Sequence, residues 1–346
     1  MARRGGTHRL LRWLWTSRRI DARIARLALL PAAAMWRTAT IARDAAYGRG
    51  WVASGEAALP TVAVGNLTAG DSGKTAVLIW VARHLAAQGL RPAVLLRKPN
   101  DYRRREIAHS VPDASVDDAS DGARAVERAA VSGAQVIVLE GGLTPGPIRA
   151  GLTVAVIGAE TSRAVRWPLP AGPWREGWQA LAHADIVVVT RKRASSEAAE
   201  ALAAELGSRT PGVVAIAHLG MRHLEGLVSG AEHAASALAG KRVVAASGSA
   251  DPDAFVSQVK AAGAAVQVHT WSAEGELRDE DVAWLAHATR RADFVVISEQ
   301  DAVKLRDRWP ARVAEPLVAI LDLTWETSGD AVATGLDALV APVNRS

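Results

Sequence analysis

Residues 62–85 read "VAVGNLTAGDSGKTAVLIWVARHL". An apolar, β-branched run passes through a glycine-bearing turn into a helical pattern, with Gly73-Lys74-Thr75 at the junction. A strand, a tight loop and a helix start in that order gather backbone N–H groups at the positive end of a helix, where a phosphate binds. Lys74 adds a point charge for the β and γ phosphates, and Thr75 offers a hydroxyl to Mg²⁺. The usual spacing G-x-x-x-x-G-K-[ST] is not fully met, because Thr68 stands at its first glycine. The favoured ligand is a nucleoside triphosphate; the plainer reading is a helix start that merely carries Gly-Lys-Thr.

Around this stretch, short β-branched runs alternate with alanine-rich helical ones. Strands are expected at 61–64, 93–96, 135–139, 153–157, 185–190, 213–217, 242–246, 265–269, 294–297 and 317–321, and helices at 76–87, 122–130, 197–206, 253–262 and 279–292. Such alternation predicts mostly parallel sheets with helices on both faces. At 346 residues the chain suits two domains. The segment "RWPLPAGPWREGW", 166–178, breaks the rhythm and is the expected hinge. The expectation is therefore two α/β/α domains: a nucleotide-binding one at 51–165, a second at 166–328, and a helix with tail at 329–346.

No cysteine is present, which excludes disulfides, thiolate metal sites and a cysteine nucleophile. Basic charge gathers before residue 50, where Arg3, Arg4, Arg9, Arg12, Arg18, Arg19, Arg23, Arg26, Arg37, Arg43 and Arg49 stand against only Asp21 and Asp44. Residues 1–50 read as a basic amphipathic helix or pair of helices. The apolar run 27–36 is shorter than the roughly 20 residues a bilayer needs and contains Pro31. A helix lying on an anionic membrane surface fits, with the arginines toward headgroups and Trp13, Trp15 and Trp36 at the interface. A solvated basic arm or a nucleic-acid contact would use the same residues.

The motif "VGNLTAGDSGKT" resembles the phosphate loop of the tetraacyldisaccharide 4'-kinase (lipid A 4'-kinase) family, which also carries Asn-Leu-Thr and places Thr at the first glycine position. Further similarities follow in order: "RDAAYGRG" at the end of the arm, "LPAGPWREG" at 169–177, "AASGSADPDAF" at 245–255 and "SEQDAVKL" at 298–305. The resemblance implies a P-loop NTPase-like first domain with Asn66, Thr68, Ala69, Gly70, Asp71, Ser72, Gly73, Lys74 and Thr75 around ATP. It implies transfer of the γ-phosphate to the 4'-hydroxyl of a tetraacyldisaccharide 1-phosphate, by a peripheral enzyme on the cytoplasmic face of the inner membrane.

The acids depart from the family. Where the family has Asp-Asp-Gly-Leu-Gln-His, this chain has "EGGLTP" at 140–145. Glu140 ends the run "QVIVL", the position of an acid that holds the Mg²⁺ water shell, so Thr75 and Glu140 are the expected metal-side residues. A surface glutamate at a strand end is the plainer reading. The family's Asp-His-His element aligns with "AEG" at 273–275, and His269 is the nearest histidine. The Gly-Asp-Glu element aligns with "SDG" at 120–122, making Asp121 the expected base, although Asp117, Asp118 and Asp121 also read as an ordinary acidic loop. The arginine of Ser-Arg-Gly-Tyr-Gly survives as Arg97. Two functions stay open: an ATP-dependent lipid kinase using Lys74, Glu140 and Asp121 with Mg²⁺, and a kinase-like membrane protein that binds nucleotide or glycolipid without effective transfer. No nucleic-acid partner is expected.

Overall fold

The computed structural model describes residues 6–52, 55–70, 72–97, 99, 101–144, 146–248, 252–271 and 277–343. Internal contacts divide the chain into two compact units, Arg12–His218 with Leu323–Ser346, and Leu219–Asp322 with Met1–Leu11.

The N-terminal segment is helical: α1 (Gly6–Thr16), α2 (Ile20–Ala28) and α3 (Leu30–Gly48). Pro31 sits in the first turn of α3, where no intrahelical N–H is required. Arg26 is not a headgroup arginine: it is buried, and its guanidinium donates to the carbonyls of Leu14 at 2.8 Å and Ser17 at 3.0 Å, capping the end of α1. Trp15 likewise turns inward, donating to the Pro170 carbonyl at 3.1 Å. Left outside on α2 are Ile20, Ile24 and Leu27, which are 70%, 60% and 56% exposed and spaced to form one stripe.

In the first unit, β1 (Gly55–Glu56) pairs with β6 (Ile148–Arg149), apart from the main sheet. That sheet runs β9-β8-β7-β2-β5-β3-β4, all parallel. Its strands are β2 (Thr61–Asn66), β3 (Pro92–Leu96), β4 (Ser115–Asp118), β5 (Val136–Glu140), β7 (Leu152–Gly158), β8 (Ile186–Arg191) and β9 (Val213–Gly226), the last running on into the second unit. The helices are α4 (Lys74–Ala87), α5 (Asp101–Ser110), α6 (Ala123–Val131) and α7 (Ser196–Gly207). Residues 61–65 of β2 are buried without alternation, as a parallel strand covered on both faces requires. Helix α4 buries Val77, Leu78, Val81, Ala82 and Leu85.

In the second unit, β10 (Glu232–Ala234) pairs antiparallel with the end of β9, and β11 (Arg242–Ser247) lies between β12 (Ala265–Thr270) and β13 (Phe294–Ser298). Strand β14 (Leu317–Thr327) pairs with β13 and returns the chain to the first unit, where α11 (Gly329–Val340) packs on α4 and β7. Helices α8 (Pro252–Ala261), α9 (Asp279–Ala288) and α10 (Glu299–Leu305) complete it. Asp301 of α10 is buried, with Oδ2 accepting from Ser298 Oγ at 2.6 Å and the Gly248 amide at 2.9 Å.

All ten expected strands form, eight of them within a residue or two at their ends, while β9 and β14 run on well beyond 217 and 321; the pairing is mostly parallel as anticipated, with β10 antiparallel to β9. The contact division falls after His218, not at residue 166. The chain around 166–178 belongs to the first unit, because its backbone bonds to the phosphate loop and β8 extends the first sheet. Strand β4 and helix α5 had no apolar signature and were not anticipated.

Candidate functional site

The turn after β2 is held from three sides. Asn66 Nδ2 donates to the Thr68 carbonyl at 2.9 Å. The proline-rich segment lies along the turn: the Ala69 amide donates to the Pro173 carbonyl at 2.7 Å, and the Arg175 amide to the Leu67 carbonyl at 2.9 Å. From β8, the Thr190 hydroxyl donates to the Ser72 carbonyl at 2.7 Å, a contact the sequence had not suggested. Gly73 then starts α4 with φ +72°, a left-handed conformation in which a side chain would be strained. The Thr68 and Ser72 hydroxyls are buried and have no hydrogen-bond partner among the described residues. Buried polar groups are normally paired, so these two, together with the N-terminus of α4, fit a phosphate-bearing ligand. Asp71 lies outside the described residues.

Glu140 ends β5 beside this turn, since β5 pairs with β2. It is buried, not a surface acid. Its Oε1 pairs with Lys74 Nζ, and its Oε2 accepts from Arg103 Nη1 at 2.9 Å and from the Arg97 amide at 3.0 Å. Burial alone would raise the Glu140 carboxyl; the hydrogen bond from Arg103 and the charge of Lys74 overcome it and hold the group below the usual carboxylate range. Burial brings the Lys74 ammonium below its ordinary value, Glu140 opposes that shift, and Arg103 and Arg175 add to it. Gly141, which stands where the family carries its second acid, has φ +103°, a conformation that glycine takes without strain. Hard oxygen donors on Glu140 and Thr75 are of the kind Mg²⁺ takes.

Other expected residues lie elsewhere. Asp121 follows β4 and is 60% exposed, paired with Arg128 Nη1 at 3.0 Å; Asp117 pairs with the same arginine at 3.2 Å. No direct contact joins Asp121 to Lys74 or Glu140 among the described residues. His269 stacks on Trp284 with centroids 3.8 Å apart and planes at 10°, and burial lowers its imidazole. It packs as a structural histidine. Residues 273–275 lie outside the described residues. Arg97 reaches the site through its backbone amide, and the guanidinium beside Glu140 belongs to Arg103, which sequence reasoning missed. The run Arg103-Arg104-Arg105 was its only signal, and that run does not say which residue faces inward.

A family model described as tetraacyldisaccharide-1-P 4'-kinase matches residues 25–341. A tetraacyldisaccharide 4'-kinase of Anaeromyxobacter dehalogenans is 32% identical over 90% of both chains. One from Polaromonas sp. is 29% identical, covering 92% of this chain and 94% of its own. Among solved structures, LpxK from Aquifex aeolicus in complex with ATP superposes with a TM-score of 0.69 over 91% of this chain and 99% of its own, at 17% identity, a likeness of fold.

Proposed function

The chain belongs to the tetraacyldisaccharide-1-P 4'-kinase family, and we propose that it transfers the γ-phosphoryl group of ATP to the 4'-hydroxyl of an acylated disaccharide 1-phosphate. The observation that carries this reading is the pairing of Lys74 with Glu140 at the turn between β2 and α4. The loop amides and Lys74 would bind and orient the phosphates, leaving the γ-phosphorus open to the acceptor oxygen. Bound Mg²⁺ would be held by Thr75 and Glu140 and would offset phosphate charge. Asp121 is assigned to the acceptor: it takes the hydroxyl proton as the new O–P bond forms and ADP departs with the electrons of the old one. Lys74 and Arg103 flank Glu140, two cations on one carboxylate, and Arg175 adds its charge near Lys74, a balance that suits a polyanion.

The α2 stripe supports peripheral attachment, which we place at the cytoplasmic face of the inner membrane. Ile20, Ile24 and Leu27 stand exposed with Arg19 and Arg23 beside them, an apolar row flanked by cations. No helix of the described residues is long and apolar enough to cross a membrane. A second reading, binding without effective transfer, draws on one observation: both oxygens of Glu140 are already engaged by cationic or amide donors. The deciding experiment is a transfer assay with γ-labelled ATP, Mg²⁺ and a tetraacylated disaccharide monophosphate in detergent. Label on the lipid is expected. Magnesium-dependent nucleotide binding with no labelled lipid would support the second reading.

A further inference from the structure

Helix α5 opens with Asp101, Tyr102 and then three consecutive arginines. Cations in the first turn of a helix sit at the positive end of its dipole and disfavour the helix, so their placement needs another reason. The three arginines diverge. Arg104 Nη1 donates to the Val116 carbonyl at 2.9 Å, which fastens α5 to β4, and Arg105 is exposed. Arg103 turns to the phosphate turn and meets Glu140 Oε2 at 2.9 Å, with its side chain only 20% exposed.

Glu140 thus stands between two cations, one on each oxygen. A triphosphate at the turn needs the Lys74 ammonium, which the Glu140 carboxylate also draws. Were Lys74 the sole partner of Glu140, moving it to phosphate would leave a buried carboxylate with no opposing charge, a costly arrangement. Arg103 and the Arg97 amide remain on the other oxygen whichever way Lys74 is drawn. We propose that Arg103 is a positioning residue that holds Glu140 in place and counters its charge, so that Lys74 can be shared with, or given up to, the phosphates of ATP. The proposal rests on the reading of this turn as an ATP site and adds to it a residue outside the phosphate loop.

Because it concerns which cation Glu140 keeps, the proposal is tested by binding and not by turnover. The full chain is titrated with ATP in EDTA by calorimetry, with circular dichroism as a check on folding. Arg103→Gln should weaken ATP binding about tenfold, the scale of one lost hydrogen bond to a charged group. Glu140→Gln, which removes the competitor for Lys74, should tighten it severalfold. The double variant should bind like Glu140→Gln alone, because Arg103 has nothing left to hold; Arg103→Lys should fall between parent and Arg103→Gln. If Arg103→Gln does not fold, the same comparison is made with Arg103→Lys and Arg103→Lys/Glu140→Gln. A double variant as weak as Arg103→Gln would mean that Arg103 touches phosphate itself and would overturn the proposal, as would an Arg103→Gln that binds like the parent. A parent chain that binds no ATP would overturn the ATP-site reading and the proposal with it.

Discussion

The Thr190 hydroxyl reaches across from the end of β8 to the carbonyl of Ser72, 2.7 Å away, so the phosphate loop is fastened by a strand that follows it by more than a hundred residues. Thr190→Val keeps the shape and removes the donor, leaving a buried carbonyl unpaired at a cost of about 1–3 kcal/mol. ATP affinity should drop at least about fivefold by the scale of that loss, and Thr190→Ser should restore it. Calorimetric titration of the three proteins checks this, and equal affinities would show that the loop holds its form without β8.

Replacing Lys74 by alanine should abolish turnover and weaken ATP binding while the melting temperature stays near that of the parent, because Glu140 keeps Arg103 and the Arg97 amide. Glu140→Gln preserves size and removes charge, so turnover should fall about a hundredfold or more, as when one polar group that stabilises a transition state is lost. Magnesium-ATP should still bind. Parent-like rates for either variant would remove that residue from the mechanism.

How far these residues could be read in advance depends on whether their partners are near in sequence. The β2–turn–α4 unit is legible because strand, glycine turn and helix are contiguous, and Glu140 because an apolar run ends on it. Thr190 and Arg103 are not legible: each acts through a partner fixed by sheet order or helix rotation, and neither lies in an informative local pattern. The same reason explains the proline-rich segment. Its composition marks a break in the alternation, but the bond from the Ala69 amide to the Pro173 carbonyl, which keeps it with the first unit, is a long-range contact. Strand β4 hides for a different reason, since "SVDD" at an edge buries too little to show a hydrophobic period.

Asp121→Asn tests the assignment of the base directly. If it takes the proton of the sugar hydroxyl, kcat should fall by about 10²–10⁴, the usual contribution of a general base, with the KM for ATP little changed. A kcat within twofold of the parent would leave Asp121 as the surface partner of Arg128 alone.

The α2 stripe predicts how attachment can be lost without unfolding. Deleting residues 1–50 would also remove Leu14, Ala22 and Ala33, which are buried, and so would confound the result. Ile20→Ser, Ile24→Ser and Leu27→Ser together remove only exposed apolar surface. Sedimentation with vesicles of anionic lipid should then fall severalfold, and salt should weaken the parent's binding, since charges screen over about 10 Å at 0.1 M. Undiminished sedimentation of the triple variant would exclude this stripe as the anchor.

In the second unit, burial raises the Asp301 carboxyl above its ordinary value, against the hydrogen bonds from Ser298 and the Gly248 amide. A carboxyl raised on folding contributes stability that is complete below the unfolded value, about 3.9, and lost as pH rises through the folded one. The parent therefore carries a penalty at pH 7. Asp301→Asn removes the charge and should stabilise the protein at pH 7, an advantage that shrinks as pH falls toward 4. Thermal melts at several pH values decide it; a variant less stable than the parent at pH 7 would show that the carboxylate is needed in ionised form.

Helix α3 touches the loop surroundings twice, through Trp36 to the Arg175 carbonyl at 3.5 Å and through Arg43 to the Thr144 hydroxyl at 2.7 Å. A flexible leash of fifty residues would let its cargo wander over about 40 Å. A helix pinned in this way allows no such wandering. On the proposed attachment through α2, the phosphate turn would be carried at a fixed height and tilt above the surface, and reach would become a matter of which part of a glycolipid headgroup stands at that elevation.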